Sequence, residues 1–541
     1  NARGGILRAG TAGLNLPNAM TVAGGGFRVG GANSFILSGN LTLDAASRTL
    51  ANYSSNGSVV ALGGITTVSG ATVAFDNAAN GATGAPMSVS GAITGPGAVA
   101  LSNNQNTTLA GANTYTGTTT LSGGRLTLSG STAAGSAVTI SGGTLAGTGT
   151  INGSLALSGG SIALAGGATT TGPTFASGAT ITNTPTVTFD SPPLAATTYD
   201  VFSYGSGTVT GIANLKVTYR GTVTNDTVNK KYTFTLDPSQ TRTWNTTTGT
   251  WDATGANAVW LEGDQKFYTG DAAVFNEPTA ASTVTISGTV SATGFTVNNS
   301  SNAYTFQTGA LTGATGFTKT GAGAVTLNNA HTFTGNASIT GGTVTGTGGV
   351  PSANTNSSFG LKSSSRQISV EGNATTLWLT ATGGGSNTFG GGGMTASQIP
   401  SLIIKDGGVV RTGKFNTVGN ITLQNGGRLT NSSTETSGSY GGYQFIWPVT
   451  LSGTGTGTFI DLNGRTRPNH LKGGTPTTFD VSDITADSSP DLAVSAALAD
   501  GSGDYAGIGS LTKSGSGTML LSAANTYTGG TSVNGGVLEV S

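Results

Sequence analysis

The sequence predicts an all-β protein, a β-solenoid in which short strands stack rung upon rung. Gly makes up 91 of the 541 residues, and short packets of alternating apolar and polar residues stand between the glycines. A Gly-Gly pair, followed by any residue and then an apolar one, occurs nine times. Four successive intervals, from 4 to 24, 123 to 142, 142 to 159 and 407 to 426, are 17–20 residues, which is the length expected for one rung of a solenoid.

The Gly-Gly element supplies the corner of each predicted rung, because glycine adopts backbone conformations that a tight turn requires. The strand that follows alternates, so Leu126 and Leu128, or Leu538 and Val540, are predicted to point inward. One rung cannot bury its own apolar face, so neighbours must stack as parallel strands about 4.8 Å apart. The nine elements begin at Gly4, Gly24, Gly123, Gly142, Gly159, Gly341, Gly407, Gly426 and Gly535.

A longer phrase occurs three times, as GANTYTGTTTLSGGRLTLS, NAHTFTGNASITGGTVTG and AANTYTGGTSVNGGVLEVS. Its aromatic residue stands eight positions before the Gly-Gly pair in every copy, and Lys319 and Lys513 stand 14 positions before that aromatic. Constant spacing predicts a fixed register, with the aromatic in a packing or corner role rather than as a ligand platform. The predicted structural positions are Tyr115, Gly123, Gly124, Phe333, Gly341, Gly342, Tyr527, Gly535 and Gly536.

The clearest copy, KSGSGTMLLSAANTYTGGTSVNGGVLEV from Lys513, resembles the autotransporter-associated β-strand repeat, the PATR-type repeat of bacterial surface and passenger proteins. The resemblance covers residues 510–541, 316–346 and 107–130, with only the Gly-Gly element elsewhere. It implies a right-handed parallel β-helix that is exported to the bacterial cell surface as a stalk, an adhesin or a presenting scaffold. It does not imply an enzyme.

Two stretches depart from the simple rung and suggest four blocks, at residues 1–184, 185–240, 241–346 and 347–541. Longer aromatic strands between Pro185 and Asp237 predict an antiparallel hairpin element that caps or interrupts the solenoid. The next block opens on Trp244, Asn245, Trp251 and Asp252. The tryptophans of this block either seal the open end of a solenoid or stack on glycans, and the sealing role is favoured.

Histidine, basic and glycine-rich stretches offer three further candidates in the second half of the chain. His331 takes the position of Asn525 in the repeat, which indicates a substituted turn residue. The glycine-rich stretch 383–393 lacks the Gly-Lys-Ser/Thr of a phosphate-binding loop, so a plain loop is predicted. Arg465, Arg467, His470 and Lys472 could hold an anionic sugar, but a solvated loop is favoured.

Six aspartates lie between positions 480 and 504, and their oxygens are of the kind that calcium binds. Their spacing follows neither the EF-hand order nor the nonapeptide of calcium-binding β-rolls, so turn and edge roles are favoured over a metal site. The six are Asp480, Asp483, Asp487, Asp491, Asp500 and Asp504.

Composition excludes several classes of function. Lys plus Arg and Asp plus Glu number 22 each, so the chain has no net charge with which to attract nucleic acid or an anionic membrane. The absence of cysteine excludes disulfides and thiolate zinc sites, and no run of eighteen apolar residues predicts a transmembrane helix. No nucleophile elbow, His-Glu-x-x-His motif or paired Asp-Asp appears, so neither catalytic residues, cofactors nor metals are predicted.

The leading prediction is therefore an extracellular structural β-solenoid, a surface stalk or fibre component. The first alternative is a carbohydrate-binding adhesin with surface glycans as partners. A β-helical polysaccharide lyase is a second, less favoured alternative. The chain begins at Asn1 without Met, and both ends resemble parts of a rung rather than polar caps. We therefore expect that the natural chain continues beyond them, or that copies associate end to end.

Overall fold

The computed structural model of the chain describes residues 6–24, 27–44, 47–54, 60–76, 86–194, 196–347, 356–380, 398–413, 415–431, 442–461 and 468–541. The Gly-Gly elements at Gly4 and Gly24 lie wholly or partly outside these ranges, as do the glycine-rich stretch 383–393, Arg465 and Arg467. The chain forms two units, Asn1–Pro238 and Ser239–Ser541.

In the first unit, ten rungs each contribute one strand to each of two parallel sheets, named here sheets 1A and 1B. Short alternating segments form these strands because every second side chain enters the core: Leu126 and Leu128 are buried, and Thr127 between them faces outward. The strands of sheet 1A are Ile6–Arg8, Phe27–Gly31, Arg48–Ser54, Thr72–Phe75, Ala98–Leu101, Thr119–Leu121, Val138–Ile140, Leu155–Leu157, Ala179–Ile181 and Val209–Thr210. Those of sheet 1B are Leu14–Asn15, Phe35–Leu37, Val60–Leu62, Met87–Val89, Asn106–Leu109, Arg125–Leu128, Thr144–Ala146, Ser161–Leu164, Thr186–Phe189 and Lys216–Val217.

Two smaller sheets complete the first unit. Sheet 1C is parallel and joins Met20–Val22, Leu41–Leu43, Ile65–Thr66 and Ile93–Thr94. Sheet 1D joins Thr150–Ile151 and Thr174–Phe175 to three longer strands, Thr198–Tyr204, Lys231–Leu236 and Gly221–Asp226, which pair antiparallel. A 3-10 turn, Ile212–Asn214, precedes the last strand of sheet 1B.

The second unit repeats the architecture with twelve rungs and two twelve-stranded parallel sheets, 2A and 2B. The strands of sheet 2A are Thr241–Thr243, Ala272–Phe275, Gly294–Asn298, Phe317–Thr320, Ala337–Ile339, Gln367–Glu371, Ser401–Lys405, Ile421–Leu423, Val449–Leu451, Thr477–Val481, Leu511–Ser514 and Thr531–Val533. Those of sheet 2B are Thr248–Trp251, Ser282–Ser291, Tyr304–Thr312, Val325–Leu327, Thr343–Gly346, Thr376–Leu379, Val409–Thr412, Arg428–Asn431, Thr458–Asp461, Leu492–Val494, Thr518–Leu521 and Val537–Val540.

A third sheet, 2C, occupies part of the second unit. It consists of the parallel strands Asn416–Val418, Tyr443–Phe445, Asn469–Leu471 and Leu498–Ala499. The strands Asn356–Ser357 and Gly360–Leu361 form a small antiparallel ladder, and Gly503–Tyr505 is a 3-10 turn. Among the residues that the structure describes there is no α-helix, so the predicted all-β solenoid is confirmed.

Rung length varies more than the Gly-Gly spacing predicts. Some rungs with Gly-Gly corners keep the expected length, as Val138 pairs with Leu155, 17 positions on, and Leu511 with Thr531, 20 positions on. Elsewhere the interval rises to 34, between Thr477 and Leu511, because longer loops connect the strands. The sheets themselves run without interruption through residues 184 and 346, where block boundaries were predicted.

Each unit has its own continuous core, formed by the inward residues of its sheets. Burial of each Val, Leu or Ile side chain contributes about 1.5–3 kcal/mol, so stability is spread along the stack. In the last rung Leu538 is only partly buried and Val540 is 73% exposed, because no described rung packs over the inward face predicted for them.

Candidate functional site

Successive rungs lie close to each other at the Gly-Gly corners. Gly124, Gly342 and Gly536, the second glycine of each pair, have φ of 67°, 67° and 61°, a region that favours glycine. A β-carbon at Gly342 would lie 2.3 Å from the carbonyl oxygen of Gly323 in the preceding rung. The first glycines, Gly123, Gly341 and Gly535, face the preceding corner at 2.7–3.0 Å in the same sense. Glycine is thus required by backbone shape and by rung-to-rung contact together.

The aromatic side chain of the repeat packs against the core near the corner of the rung. Tyr115 and Phe333 are fully buried, and Tyr527 is partly buried. The Tyr115 hydroxyl lies 2.6 Å from Thr119 Oγ1, four positions on, and Tyr527 makes the same contact with Thr531. In the copy with Phe333, the residue four positions on is Ala337. The chain therefore pairs a hydroxyl with tyrosine and a methyl group with phenylalanine.

This pairing predicts a non-additive effect of two substitutions. Phe333→Tyr would bury a hydroxyl beside Ala337, which has no partner for it, at an expected cost of about 2 kcal/mol in the free energy of unfolding. Adding Ala337→Thr should recover about 1 kcal/mol by restoring the contact seen at Tyr115. Urea unfolding followed by tryptophan fluorescence measures both variants. A double variant that is no more stable than Phe333→Tyr would contradict this interpretation.

Lys319 and Lys513 tie consecutive corners together. Lys513 Nζ donates to the carbonyl oxygens of Ser514, Gly515 and Gly535, each at 2.9 Å, so one ammonium group joins its own corner to the next Gly-Gly pair. Lys319 Nζ likewise donates to Gly341 O at 3.3 Å, and burial lowers the pKa of Lys319 to about 8.

The lysine role was not assigned from the sequence, although the constant lysine-to-aromatic spacing in a chain of low charge was a usable signal. The first copy has Leu101 at the equivalent position, and Leu101 is buried in the core. In this copy Gln105 Nε2 donates to Asn106 O at 2.9 Å.

The asparagine of the repeat connects each rung to the one before it. Asn113 Oδ1 accepts from Ile93 N at 2.8 Å, and Asn525 Oδ1 accepts from Leu498 N at 2.9 Å. His331 replaces this asparagine: its Nδ1 accepts from Leu311 N at 3.1 Å, and its Nε2 is buried without a partner. Burial lowers the pKa of His331 to about 4, so the ring is neutral at pH 7.

The aspartates between 480 and 504 hold turns and rung contacts. Asp491 accepts from the backbone N–H of Ile484 and Thr485 and from that of Thr518 in the next rung. Asp500 accepts from the backbone N–H of Gly509 and Thr528 in the same way. Hydrogen bonds to backbone N–H groups lower the pKa of both carboxyl groups against their desolvation. Within the described ranges no three histidine or acidic side chains are arranged to hold a metal ion.

The tryptophans at the start of the second unit pack as its first core layer. Trp251 and Trp260 are fully buried, Trp244 is 5% exposed, and the rings of Trp251 and Trp260 lie 5.7 Å apart. Asp252 accepts from the backbone N–H groups of Thr254, Ala256 and Asn257, which fixes the turn after Trp251. The buried indoles of Trp251 and Trp260 can therefore seal the end of the core but cannot stack on a glycan.

The predicted basic loop is only partly described. His470 lies in the strand Asn469–Leu471 rather than in a loop, and its Nδ1 is 2.7 Å from Asp500 O. Arg465 and Arg467 lie outside the described residues. The part of the chain that the structure covers contains no helix with the length and hydropathy to cross a membrane.

Comparison with known families identifies the repeated corner. The family described as passenger-associated-transport-repeat matches residues 105–128, 317–345 and 511–540, which are the three copies that share the geometry above. Three segments of the chain match the passenger-associated transport repeat, and we call these segments the transport repeats. The resemblance inferred from the sequence is confirmed, and each segment contains the aromatic and Gly-Gly positions.

A search of curated proteins also found a relative of the chain. The chain is 28% identical over 254 residues to the adhesin BmaC autotransporter of Brucella suis biovar 1 (strain 1330). The match covers 41% of this chain and 7% of that protein, so the chain corresponds to a small part of its length. No solved structure matches the chain. Transport repeats and an adhesin relative together support a surface passenger protein.

Proposed function

We propose that the chain is a scaffold segment of an exported bacterial surface passenger, in which β-solenoids provide length and stiffness. The observation that carries the proposal is the use of the repeat residues. The asparagine and Gly-Gly positions contact the preceding rung, as Asn113 and Gly342 illustrate, and the aromatic position, as in Tyr115, is buried. Because the repeat residues stabilise the stacking of rungs, they build a rigid solenoid. The outward-facing positions between the corners are not used for stacking.

Surface exposure is the property to test first. Antibodies against the purified second unit should label intact cells that produce the protein, and protease added outside those cells should remove the signal. A cytoplasmic protein of the same cells serves as the control for lysis. Labelling that appears only after the cells are permeabilised would contradict export to the surface.

A carbohydrate-binding adhesin is the second candidate, favoured by the similarity to a protein named as an adhesin. A glycan array probed with the purified chain separates the two roles, because a scaffold alone gives no saccharide signal. The lyase alternative predicts unsaturated products from uronic-acid polymers. Absence of such products under conditions that a control lyase cleaves would remove that alternative.

End-to-end association between copies of the chain is a proposal about its partners. Val533, Val537 and Val540 on the last described rung are 51%, 49% and 73% exposed, which would suit contact with another rung. Sedimentation of the purified chain over a range of concentrations tests the association. Oligomers that Val540→Lys dissolves would support it, and a monomer at every concentration would contradict it.

A further inference from the structure

The strand Gly221–Asp226 is an open edge of sheet 1D. It pairs with Lys231–Leu236 on one side, and among the residues that the structure describes no strand pairs with its other side. Its residues from Gly221 to Asn225 are exposed. Sheets usually protect such an edge with lysine, proline or a bulge, because unpaired backbone groups attract another strand. The segment GTVTN has no proline and no charged side chain, and its pairing has no bulge.

The hydrogen-bond pattern identifies the backbone groups that face the open edge. Asp237 N donates to Arg220 O at 3.1 Å. In an antiparallel ladder, hydrogen-bonded pairs alternate with pairs that are not bonded, so the backbone groups of Thr222 and Thr224 also face the neighbouring strand. The intervening residues direct their N–H and C=O groups to the open edge. These residues are Gly221, Val223 and Asn225.

The centre of this edge is apolar. On one face of the sheet Val223 pairs with Phe234, which pairs with Tyr199. Phe234 and Tyr199 are fully buried, whereas Val223, at the end of the row, is 45% exposed. The Tyr204 hydroxyl donates to Asn225 Oδ1 at 3.0 Å, which holds the Asn225 side chain on the sheet. The edge therefore presents an apolar residue between backbone groups that are already in strand geometry.

From this geometry we propose that two copies of the chain pair antiparallel through Gly221–Asp226, about a two-fold axis at Val223. Val223 of each copy then lies opposite Val223 of the other, and the two apolar rows join. The backbone groups at the open edge of each copy donate to and accept from those of the other. Arg220 lies opposite Asp226 of the second copy, whereas parallel pairing in register would place like charges opposite each other. Charge complementarity thus favours a second antiparallel copy as the partner.

This contact differs from the proposed end-to-end association because it uses a strand of the first unit and not the last rung. One pair of six-residue strands buries less than the roughly 1,200 Å² of a stable interface, so we expect a weak, reversible dimer. The pairing goes beyond the scaffold role and does not depend on whether the chain is exported. Its failure would leave the surface-labelling result unaffected.

The test uses the 541-residue chain with Val540→Lys, so that association through the last rung does not contribute. Sedimentation from micromolar to millimolar concentrations should show a monomer–dimer equilibrium. Val223→Lys places two ammonium groups opposite each other and should weaken the dimer roughly tenfold or more, as should Val223→Glu with its carboxylates. An equal mixture of the two variants should restore dimers. Thr224→Lys is the matched control, because it faces Thr222 of the second copy and should leave dimerisation nearly unchanged.

Cross-linking locates the two-fold axis, since the chain has no cysteine. In the dimer the Cα atoms of two Val223→Cys residues lie about 5.5 Å apart, which allows a disulfide, whereas those of Thr224→Cys lie roughly 8 Å apart. Val228→Cys, at a position that is 87% exposed, controls for random collision. We expect covalent dimers for Val223→Cys and few for the other two variants.

Far-UV circular dichroism checks that each variant folds, because the changed side chains are exposed and should leave the strand content unaltered. Four results would each overturn the contact: a monomer at every concentration, dimers that Val223→Lys leaves unchanged, a mixture of the charged variants that stays monomeric, or equal cross-linking at positions 223 and 228. Binding of an unrelated extended peptide at this edge, without self-association, would also exclude a second copy as the partner.

Discussion

Replacing Gly342 by alanine is expected to lower the free energy of unfolding of the second unit by about 3 kcal/mol or more. A left-handed φ costs a non-glycine residue about 1–2 kcal/mol. The added methyl group would also lie 2.3 Å from Gly323 O, and relieving such an overlap costs about 1–3 kcal/mol. All five tryptophans lie beyond residue 239, so fluorescence during urea unfolding reports on the second unit.

Gly288 provides the matched control. Its φ of 62° is nearly that of Gly342, but no atom lies within 4 Å of the position that a β-carbon would take. Gly288→Ala should therefore lower the free energy of unfolding only by the cost of a left-handed φ, about 1–2 kcal/mol. Equal losses for the two variants would show that rung-to-rung contact at the Gly-Gly corner does not limit the residue choice.

Replacing His331 by asparagine, the residue found in the other two copies, should remove a large acid sensitivity from the second unit. The pKa of His331 falls from 6.5 to about 4 on burial, so the unfolded chain binds the proton more tightly than the folded one does. The stabilising preference for the neutral ring is complete above pH 6.5 and is lost as the pH falls toward 4. A change of that size corresponds to about 3 kcal/mol.

The measurement is the difference in unfolding free energy between the unmodified chain and His331→Asn, at intervals from pH 7.5 to pH 4. Taking the difference cancels the titration of Asp491 and Asp500, whose lowered pKa values also reduce stability in acid. Near pH 7.5 the two proteins should differ by about 1 kcal/mol or less, because Asn113 and Asn525 accept the same type of backbone N–H. A difference that stays constant with pH would contradict the buried neutral histidine.

The parallel solenoid could be predicted from the sequence because two periodicities reinforce each other. Alternation in Leu126–Leu128 sets the inward face, and the Gly-Gly interval sets the rung, so pattern and spacing lead to one fold. The constant position of Tyr115 and Phe333 led to the prediction of a packing role, and both side chains are buried.

Longer rungs and cross-rung contacts were beyond prediction for physical reasons. A longer loop adds little to the free-energy cost of closing it, so an interval such as Thr477 to Leu511 leaves no regular pattern in the sequence. The lysine contacts depend on carbonyl groups brought together only by stacking, as between Lys513 and Gly535.

The central claim, that each transport repeat fixes the register of one rung on the next, can be tested by cross-linking because the chain has no cysteine. Thr326 pairs with Thr345, and Cα atoms about 4.8 Å apart allow a disulfide. Thr343, two positions from that partner, lies roughly 8 Å from Thr326 by strand spacing and rise, too far to bridge. We predict full intramolecular oxidation for Thr326→Cys with Thr345→Cys and none with Thr343→Cys; equal yields, or a bond only in the second pair, would contradict the register.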